Sequence, residues 1–269
     1  MNGWRPKSTE IINFLKKGKI KNKMNHKTIY NFNVNSFNIT AEYYTHDINE
    51  IFIPLIKRFE TLRKNSDRRL IVYLAGPCGT GKTTMSLLLE SLFHAYIKYS
   101  IQAVGIDGFH YGSEYLQNHY LYKNGNKILM KDIKGSAETY DFEKLRDKIK
   151  TLQYGDIYWP SYDRIIHDVV EDSILVNGQI VIIEGNWLLL NEPNWNDLMQ
   201  FCDYSIFINS DRETLISRLI KRKIMGGLSE EDAKEFVMRS DVQNIERILR
   251  NRLSCDLELT EKNGRFYCF

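Results

Sequence analysis

The residues most able to do chemistry come together in one short stretch of the sequence, LAGPCGTGKTT at positions 74–84. Gly76, Gly81, Lys82 and Thr83 fit the pattern GxxxxGK[ST], which a chain of this length matches by chance in about one case in a hundred. Glycines let backbone N–H groups turn toward phosphate oxygens, and a helix that begins there adds its positive dipole end. The stretch therefore predicts a loop that binds a nucleoside triphosphate, rather than an ordinary glycine-rich turn.

The same pattern assigns roles within the loop. Lys82 would reach the β- and γ-phosphates, and the Thr83 hydroxyl would ligate Mg²⁺. We expect ATP and Mg²⁺ to be the cofactors. The predicted nucleotide contacts are Gly76, Pro77, Cys78, Gly79, Thr80, Gly81, Lys82, Thr83, Thr84 and Arg218.

Two acidic residues follow apolar runs that read as buried strands, Asp107 in GIDGFH and Glu184 in IVIIEG. The carboxyl ends of parallel strands form the ligand crevice of such sheets. A carboxylate at position 107 could take the proton from an attacking hydroxyl, or it could simply cap the next turn. Glu184 could hold Mg²⁺ together with Thr83, or it could be an edge glutamate paired with a lysine.

A third set of charged residues lies on the predicted helix DRETLISRLIKRKIMGG. Arg218, Lys221, Arg222 and Lys223 fall within two turns, and Arg218 and Arg222 share a face. This is either a solvated basic face or a lid near residues 211–240 that closes on phosphates. In a lid, Arg222 would stabilise charge on the transferred phosphoryl group and act with Asp107 and Lys82 in catalysis.

The stretch WPSYDRIIHDVVED is dense in polar and aromatic residues. Trp159, Tyr162, Asp163, Arg164 and His167 lie within nine positions and could orient a small polyhydroxylated molecule. Taken alone, His167 would more simply be a histidine with a structural hydrogen bond.

Apolar strands alternate with helices from Leu70 onward, which predicts an α/β protein with the P-loop NTPase fold. Near-continuous apolar strands indicate a parallel sheet covered by helices on both faces. We expect residues 61–269 to form this kinase-type domain and to end in a hairpin around Asn263-Gly264. Residues 1–60 form an N-terminal extension with a basic tail, a β-hairpin over residues 28–45 and a helix that begins near Asp47.

Four capping interactions can be read from the sequence. Asp47 would cap the helix that follows the N-terminal hairpin. Ser8 would cap a short helix in the basic tail, and Asp141 would cap the helix FEKLRDKIKTLQ. Ser210 and Glu213 would form a capping box at the start of the basic helix. A long final helix would run from about Glu230 to Leu253.

Composition narrows the function classes. The 269 residues are 43% hydrophobic and carry a net charge of only +3, so nothing predicts a nucleic-acid or membrane partner. No apolar run reaches the length of a membrane span, and the first residues lack the apolar stretch of a signal peptide. The four scattered cysteines contain no CxxC pair. These features predict a reduced cytoplasmic protein with no structural zinc.

As a set, the motifs GPCGTGKTT, DGFH, KGSAETYD, YDRIIHD and IEGNWLLL resemble those of a family of P-loop kinases. The family comprises phosphoribulokinase, uridine kinase and bacterial-type pantothenate kinase. The most similar pattern is that of a bacterial branch labelled nucleoside/nucleotide kinase family or fructose-transport kinase. The resemblance runs from about residue 40 to the C-terminus.

The resemblance implies an ATP- and Mg²⁺-dependent kinase that phosphorylates a hydroxyl of a small metabolite. It implies that Asp107 is the base and that Glu184 lies near the metal. Tyr162 and His167 match the acceptor segment of uridine kinases, and Lys134 and Tyr140 match a pantothenate kinase pattern. It also suggests a homodimer. The predicted acceptor contacts are His110, Tyr111, Lys134, Tyr140, Tyr162, Arg164 and His167.

The chain departs from both subgroups. Pantothenate kinases have a tyrosine where His167 stands, and uridine kinases have a DSFY-like sequence where this chain has DGFH. We therefore rank a sugar or polyol first as the acceptor, a nucleoside second and pantothenate third. An alternative of another class is a regulatory NTPase that binds nucleotide without a small-molecule acceptor, against which the cluster at residues 159–167 argues.

Overall fold

A computed structural model describes residues 26–34, 37–123 and 125–269. The strands are β1 (Lys27–Val34), β2 (Phe37–Tyr44), β3 (Leu70–Ala75), β4 (Ile101–Gly105), β5 (Tyr120–Lys123), β6 (Asn126–Leu129), β7 (Ile157–Asp163), β8 (Asp168–Val176), β9 (Ile180–Gly185), β10 (Tyr204–Ser210), β11 (Leu257–Lys262) and β12 (Arg265–Cys268). The longer α-helices are α1 (Ile53–Lys64), α2 (Lys82–Tyr96), α3 (Ser113–Asn118), α4 (Phe142–Leu152), α5 (Arg212–Met225), α6 (Glu230–Phe236) and α7 (Val242–Arg250).

Shorter helical turns connect these elements. A helical turn at Thr45–Asp47 and a π-helical turn at Ile48–Phe52 lead into α1, and a second π-helical turn, Val237–Asp241, joins α6 to α7. The 3-10 turns are Ile106–Phe109, Met130–Ile133, Ala137–Thr139 and Trp195–Phe201.

The central sheet has six strands in the order β12-β11-β10-β3-β9-β4. All neighbours in it are parallel except β12, which pairs antiparallel with β11. Every residue of β3 is buried, and so is nearly every residue of β9, which explains why both sequences are apolar without alternation. The predicted α/β architecture, with a parallel sheet between helical layers, is confirmed.

Two apolar cores lie on opposite faces of this sheet. On one face, Val72 and Leu74 pack with α2 and with residues of the N-terminal hairpin and α1. On the other face, Tyr73 and Ile183 pack with α4, with the β7–β8 hairpin and with the 3-10 turn at Trp195–Phe201. The N-terminal hairpin of β1 and β2 thus shares a core with the central sheet.

The predicted N-terminal hairpin is present, with Lys27 opposite Tyr44 in an antiparallel pair. The expectation that Asp47 caps the following helix is wrong, because helical backbone begins at Thr45 and Asp47 lies within it. Its carboxylate is buried and accepts a hydrogen bond from the backbone N–H of Phe266 at 3.0 Å. Arg265 lies 3.4 Å from the same carboxylate, so Asp47 joins the start of the fold to its last strand.

Two of the other caps are testable in the described residues. Asp141 caps α4 as predicted, and its carboxylate accepts from the backbone N–H of Lys144 at 3.1 Å. The Ser210 capping box is wrong, because Asp211 caps α5 by accepting from Thr214 N–H, while the Ser210 hydroxyl donates to Glu261. The predicted helix at Ser8 lies outside the described residues.

The C-terminal elements agree with the sequence in outline. The predicted long helix is instead α6, a π-helical turn and α7, which ends at Arg250. The final hairpin forms as predicted, with Asn263 and Gly264 both at positive φ in its turn. The antiparallel β7–β8 hairpin and the β5–β6 hairpin were not predicted.

None of the helices in the described ranges combines the length and the apolar character that a membrane-crossing segment requires.

The shared core gives a stability prediction for Phe52. Its ring is fully buried and meets the Tyr43 ring at 5.7 Å and the Phe266 ring at 5.4 Å. Phe52→Ala should lower the free energy of unfolding by about 3–5 kcal/mol, because a cavity would form where β2 and the π-helical turn pack against β12. Urea unfolding followed by circular dichroism measures the change in the free energy of unfolding.

Ile29→Ala on β1 is the control, because that side chain is 61% exposed. A loss below about 1 kcal/mol for Phe52→Ala would mean that the hairpin and the sheet do not share a core.

Candidate active site

The glycine-rich loop joins the carboxyl end of β3 to the start of α2. Gly76 has a φ of +151°, and a Cβ atom there would lie 2.2 Å from the backbone oxygen of Ile208 on β10. Only glycine allows this close approach of loop and strand. The start of α2 leaves backbone N–H groups free to face an anion, so the loop has the form of a phosphate cradle.

Lys82 is buried at the first position of α2, and its ammonium group donates to the backbone oxygen of Pro77 at 2.9 Å. Burial lowers the pKa of Lys82 from its usual value, while the acidic groups of Glu184 and Asp107 oppose that effect. The ammonium group is thus held inside the loop, beside two carboxylates, where a phosphate oxygen could replace the carbonyl of Pro77.

Thr83 and Glu184 form a direct contact across the site. The Thr83 hydroxyl donates to Glu184 Oε1 at 2.7 Å, and Glu184 is the penultimate residue of β9, the strand between β3 and β4. Burial raises the pKa of Glu184, and the positive charge of Lys82 opposes this.

Hydroxyl and carboxylate oxygens are the ligands that Mg²⁺ prefers, and it usually binds through few protein groups plus substrate phosphates. Thr83 and Glu184 therefore fit a Mg²⁺ site. In the described parts of the chain, no cluster of three or more His, Cys, Asp or Glu side chains could hold a metal ion.

Asp107 lies beside Glu184 because Gly105, the last residue of β4, pairs with Glu184 in register. The half-buried Asp107 side chain sits in the 3-10 turn that follows. Its Oδ1 accepts from the Tyr140 hydroxyl at 3.3 Å. Burial acts to raise the pKa of Asp107, but His110 in its protonated form and the positive charges of Arg164, Arg222 and Lys82 outweigh it and hold the pKa below its usual value.

The turn at Asp107 packs against β7 through Gly108. A Cβ atom at Gly108 would lie 2.3 Å from the backbone oxygen of Pro160. On the other side, the backbone N–H of Asp141 donates to Phe109 and that of Tyr111 donates to Thr139. The segment KGSAETYD is thereby held against Asp107, which explains how Tyr140 reaches the carboxylate.

Five of the predicted acceptor contacts lie around this turn. The His110 ring lies 3.8 Å from the Tyr140 ring, and its Nδ1 is 2.8 Å from the backbone oxygen of Asp107. Lys134 donates to the Tyr162 hydroxyl at 2.8 Å. Arg164 lies in the turn between β7 and β8, close enough for its charge to lower the pKa of Asp107.

His167 and Tyr111 lie differently. The His167 side chain is exposed at the tip of the β7–β8 hairpin, and its backbone oxygen accepts from Ser113 at 2.9 Å. Tyr111 stacks on Tyr115 at 4.4 Å, and Tyr115 stacks in turn on His119. Neither residue is among those that line the cleft beside Asp107.

The basic helix α5 divides its charges between the loop and other partners. Arg218 donates to the backbone oxygen of Gly79 at 3.2 Å and forms an ion pair with the buried Glu261 at 2.9 Å. Arg222 is solvent-exposed on the same face and is near enough to lower the pKa of Asp107. Lys223 instead lies 3.7 Å from Asp241 in the neighbouring π-helical turn.

A cleft of about 330 Å³ opens beside these groups. Its lining includes Thr83, Asp107 and Glu184 together with Tyr162 and Asp163. The cleft is also lined by Asn33 and Val34 at the end of β1. The sequence analysis did not place these two residues at the site, and no motif marks them.

Other residues at the site have structural roles that the sequence did not reveal. Trp159 is fully buried, and its indole N–H donates to the backbone oxygen of Gly105 at 2.8 Å, so it is a core residue. Asn186 donates to the sulfur of Cys78 within the loop. Arg247 on α7 pairs with Glu138 and Glu192, which fixes the segment that contains Tyr140.

Comparison with known proteins places this site in a family. Over 238 residues the chain is 40% identical to the uncharacterized protein YggC of Escherichia coli, covering 87% of this chain and 96% of that one. It is 31% identical to a Schizosaccharomyces pombe protein described as a "putative uridine kinase", over 72% of this chain and 84% of that one.

A solved structure shares the fold. The crystal structure of a "putative fructose transport system kinase" from a Silicibacter species superposes with a TM-score of 0.69 at 29% sequence identity, covering 77% of this chain and 98% of that one. The model of the phosphoribulokinase / uridine kinase family matches residues 71–256, which include the loop, both acidic strand ends and the basic helix. The chain therefore belongs to the phosphoribulokinase / uridine kinase family.

Proposed function

We propose that the protein is an ATP- and Mg²⁺-dependent kinase that transfers the γ-phosphoryl group to a hydroxyl of a small metabolite, a sugar or a nucleoside. One observation carries the proposal: the Asp107 carboxylate lines the same cleft as Thr83 and Glu184, at the end of the strand next to that of Glu184. A hydroxyl bound at Asp107 would lie near the end of a triphosphate held in the loop.

On the nucleotide side, the backbone N–H groups of residues 76–83 would bind phosphate oxygens. The Lys82 ammonium group would donate to the β- and γ-phosphates in place of the backbone oxygen of Pro77. Thr83 and Glu184 would hold Mg²⁺, which when bound neutralises charge on the phosphates. Glu184 would be charged in that complex, since a metal cation opposes the effect of burial on its pKa.

On the acceptor side, Asp107 would accept the hydrogen bond of the attacking hydroxyl and take its proton. Its lowered pKa keeps the carboxylate charged at neutral pH, and Tyr140 fixes its orientation. In a loose phosphoryl-transfer transition state, positioning of the nucleophile matters more than strong basicity.

Residues 211–240 would act as a lid over this transfer. Arg218 already contacts the loop through Gly79, and Arg222 on the same helix is near enough for its charge to lower the pKa of Asp107. Guanidinium groups at this place would stabilise charge on the transferred phosphoryl group. Closure would also exclude water, which would otherwise hydrolyse ATP.

For the acceptor, a sugar or polyol ranks first and a nucleoside second. Tyr162 lines the cleft together with Asp107. Lys134 donates to the Tyr162 hydroxyl and the charge of Arg164 acts on it, so polar groups are gathered beside the cleft, as expected for a molecule with several hydroxyls. The names of two relatives, a uridine kinase and a fructose transport system kinase, point to the same two classes.

The proposal is tested by incubating the protein with Mg·ATP and single sugars, polyols, nucleosides and pantothenate while ADP release is followed. Stimulation by one acceptor class, with phosphorylated product found by mass spectrometry, supports the proposal. A slow rate that no acceptor changes would contradict it and would favour a regulatory NTPase.

Asp107→Asn should reduce phosphoryl transfer by about 10²- to 10⁴-fold, because an amide can neither take the proton nor hold the hydroxyl as a carboxylate does. Binding of Mg·ATP, measured by isothermal titration calorimetry, should persist. Asp132→Asn is the matched control, since that carboxylate is exposed and lies outside the cleft. Near-normal transfer by Asp107→Asn would show that another group is the base.

Lys82→Ala should weaken nucleotide binding itself, by about tenfold or more, because it removes a buried cation from the phosphate cradle. The dissociation constant for Mg·ATP, measured by calorimetry, reports the effect. Lys150→Ala on the exposed face of α4 controls for the loss of one lysine charge. Unchanged ATP affinity in Lys82→Ala would exclude the phosphate-binding role of the loop lysine.

A further inference from the structure

The protonation of His110 can be read from its contacts. Its Nδ1 lies 2.8 Å from the backbone oxygen of Asp107, and the backbone N–H of His110 donates to the same oxygen at 3.3 Å. A carbonyl oxygen can only accept, so Nδ1 must bear the proton. In the neutral ring, Nε2 is then an unprotonated acceptor.

The surroundings of the ring favour this neutral form. Burial is the largest effect on the His110 side chain, and it lowers the pKa from the usual value although Asp107 acts in the opposite sense. The groups that face the ring are Asp107 on its own turn, Tyr140 on the segment after the 3-10 turn at Ala137–Thr139, Tyr162 on β7, and Lys134. Lys134 is a cation, so it adds to the effect of burial.

The Nε2 atom is buried, yet it makes no hydrogen bond to any residue in the described ranges. Buried polar atoms in folded proteins are nearly always paired, because an unpaired one loses its interaction with water without replacement. The neighbouring polar side chains are engaged elsewhere: the Tyr140 hydroxyl with Asp107, and Lys134 with Tyr162.

The position of Nε2 suggests what would pair with it. The ring centroid lies 3.8 Å from that of Tyr140, which contacts the Asp107 carboxylate, and 6.1 Å from that of Tyr162, which lines the cleft. Two hydrogen-bond acceptors, the Asp107 carboxylate and His110 Nε2, therefore belong to one turn beside the cleft. A ligand that satisfies both must present two donors close together.

We propose that His110 Nε2 accepts a hydrogen bond from a second hydroxyl of the acceptor, next to the hydroxyl that Asp107 binds. The acceptor is then a diol, as in a sugar or a ribose ring, and His110 selects it over alcohols with one isolated hydroxyl. This inference rests on the proposed kinase function and adds that the site recognises two neighbouring hydroxyls of the acceptor.

The first test concerns the ring alone and needs no catalysis. Long-range ¹H–¹⁵N NMR spectra of the full chain labelled with ¹⁵N-histidine, assigned by comparison with His110→Asn, give the tautomer at neutral pH. The expected result is a proton on Nδ1 and none on Nε2. A proton on Nε2 would overturn the inference.

D-fructose, D-ribose and uridine are then added as probes with Mg²⁺ and a non-hydrolysable ATP analogue. At least one should shift the Nε2 resonance, and no shift with any of the three would also overturn it.

The second test pairs substrate and protein changes. For each probe that is phosphorylated, kcat/KM is compared with that of its monodeoxy analogues. Removal of one hydroxyl other than the phosphorylated one should lower kcat/KM by about tenfold to hundredfold in the wild-type protein. In His110→Asn that penalty should disappear, because asparagine can replace the Nδ1 donor but has no group at the position of Nε2.

His110→Gln is the matched control, because the longer amide can place an oxygen near the position of Nε2. It should keep most of the penalty for the same missing hydroxyl. A penalty of equal size in wild type and His110→Asn would overturn the inference and leave the kinase function intact. If no alcohol is phosphorylated at all, the proposed function fails, and the NMR experiment still decides the role of Nε2.

Discussion

The site depends on two carboxylates placed side by side at the end of a buried parallel sheet. Glu184 is the penultimate residue of β9 and Asp107 follows β4, and the pairing of Gly105 with Glu184 makes them neighbours. Two negative charges at this place need positive partners, which Lys82, Arg164 and Arg222 provide from three different parts of the chain. The result is unequal: the pKa of Glu184 is raised and that of Asp107 is lowered. The same fold thus gives two acids of different character, one suited to a metal and one that stays charged beside an alcohol.

The central sheet explains why these groups meet. In the order β10-β3-β9-β4, the glycine-rich loop follows β3, and the two acidic residues follow the next two strands on one side. All these strands are parallel, so their carboxyl ends lie at one edge. On the other side, β10 leads directly into α5, which brings Arg218 back to the loop. Strand order therefore assembles the nucleotide and acceptor sides of the site from residues more than a hundred positions apart.

Much of the sheet and of the nucleotide side of the site was predictable, because the residues that form each part are close together in the sequence. The phosphate loop, the acidic strand ends and the apolar strands each show within about ten residues, and their types follow from simple chemistry. The features that were missed or wrong depend on distant partners. Ser210 looked like a cap, yet it bonds Glu261, and Asp47 looked like a cap, yet it bonds Phe266.

The acceptor side was harder to predict for the same reason. Trp159 resembled a binding residue by composition, but its indole reaches the backbone of Gly105 in the core. Asn33 has no motif, and only the packing of the N-terminal hairpin brings it to the cleft. The tautomer of His110 is set by a carbonyl oxygen three residues away, which a sequence cannot reveal because it depends on the shape of the turn.

The pairing of Asp47 with Phe266 and Arg265 has a consequence for biosynthesis. During translation, the buried carboxylate emerges from the ribosome long before its two partners, which belong to the last strand made. Until that strand arrives, a charge near the amino-terminal hairpin lacks its counterion and must stay hydrated. The amino-terminal side of the molecule can therefore reach its final packing only after synthesis is nearly finished, so a ribosome stalled before position 265 would hold a chain with an open edge.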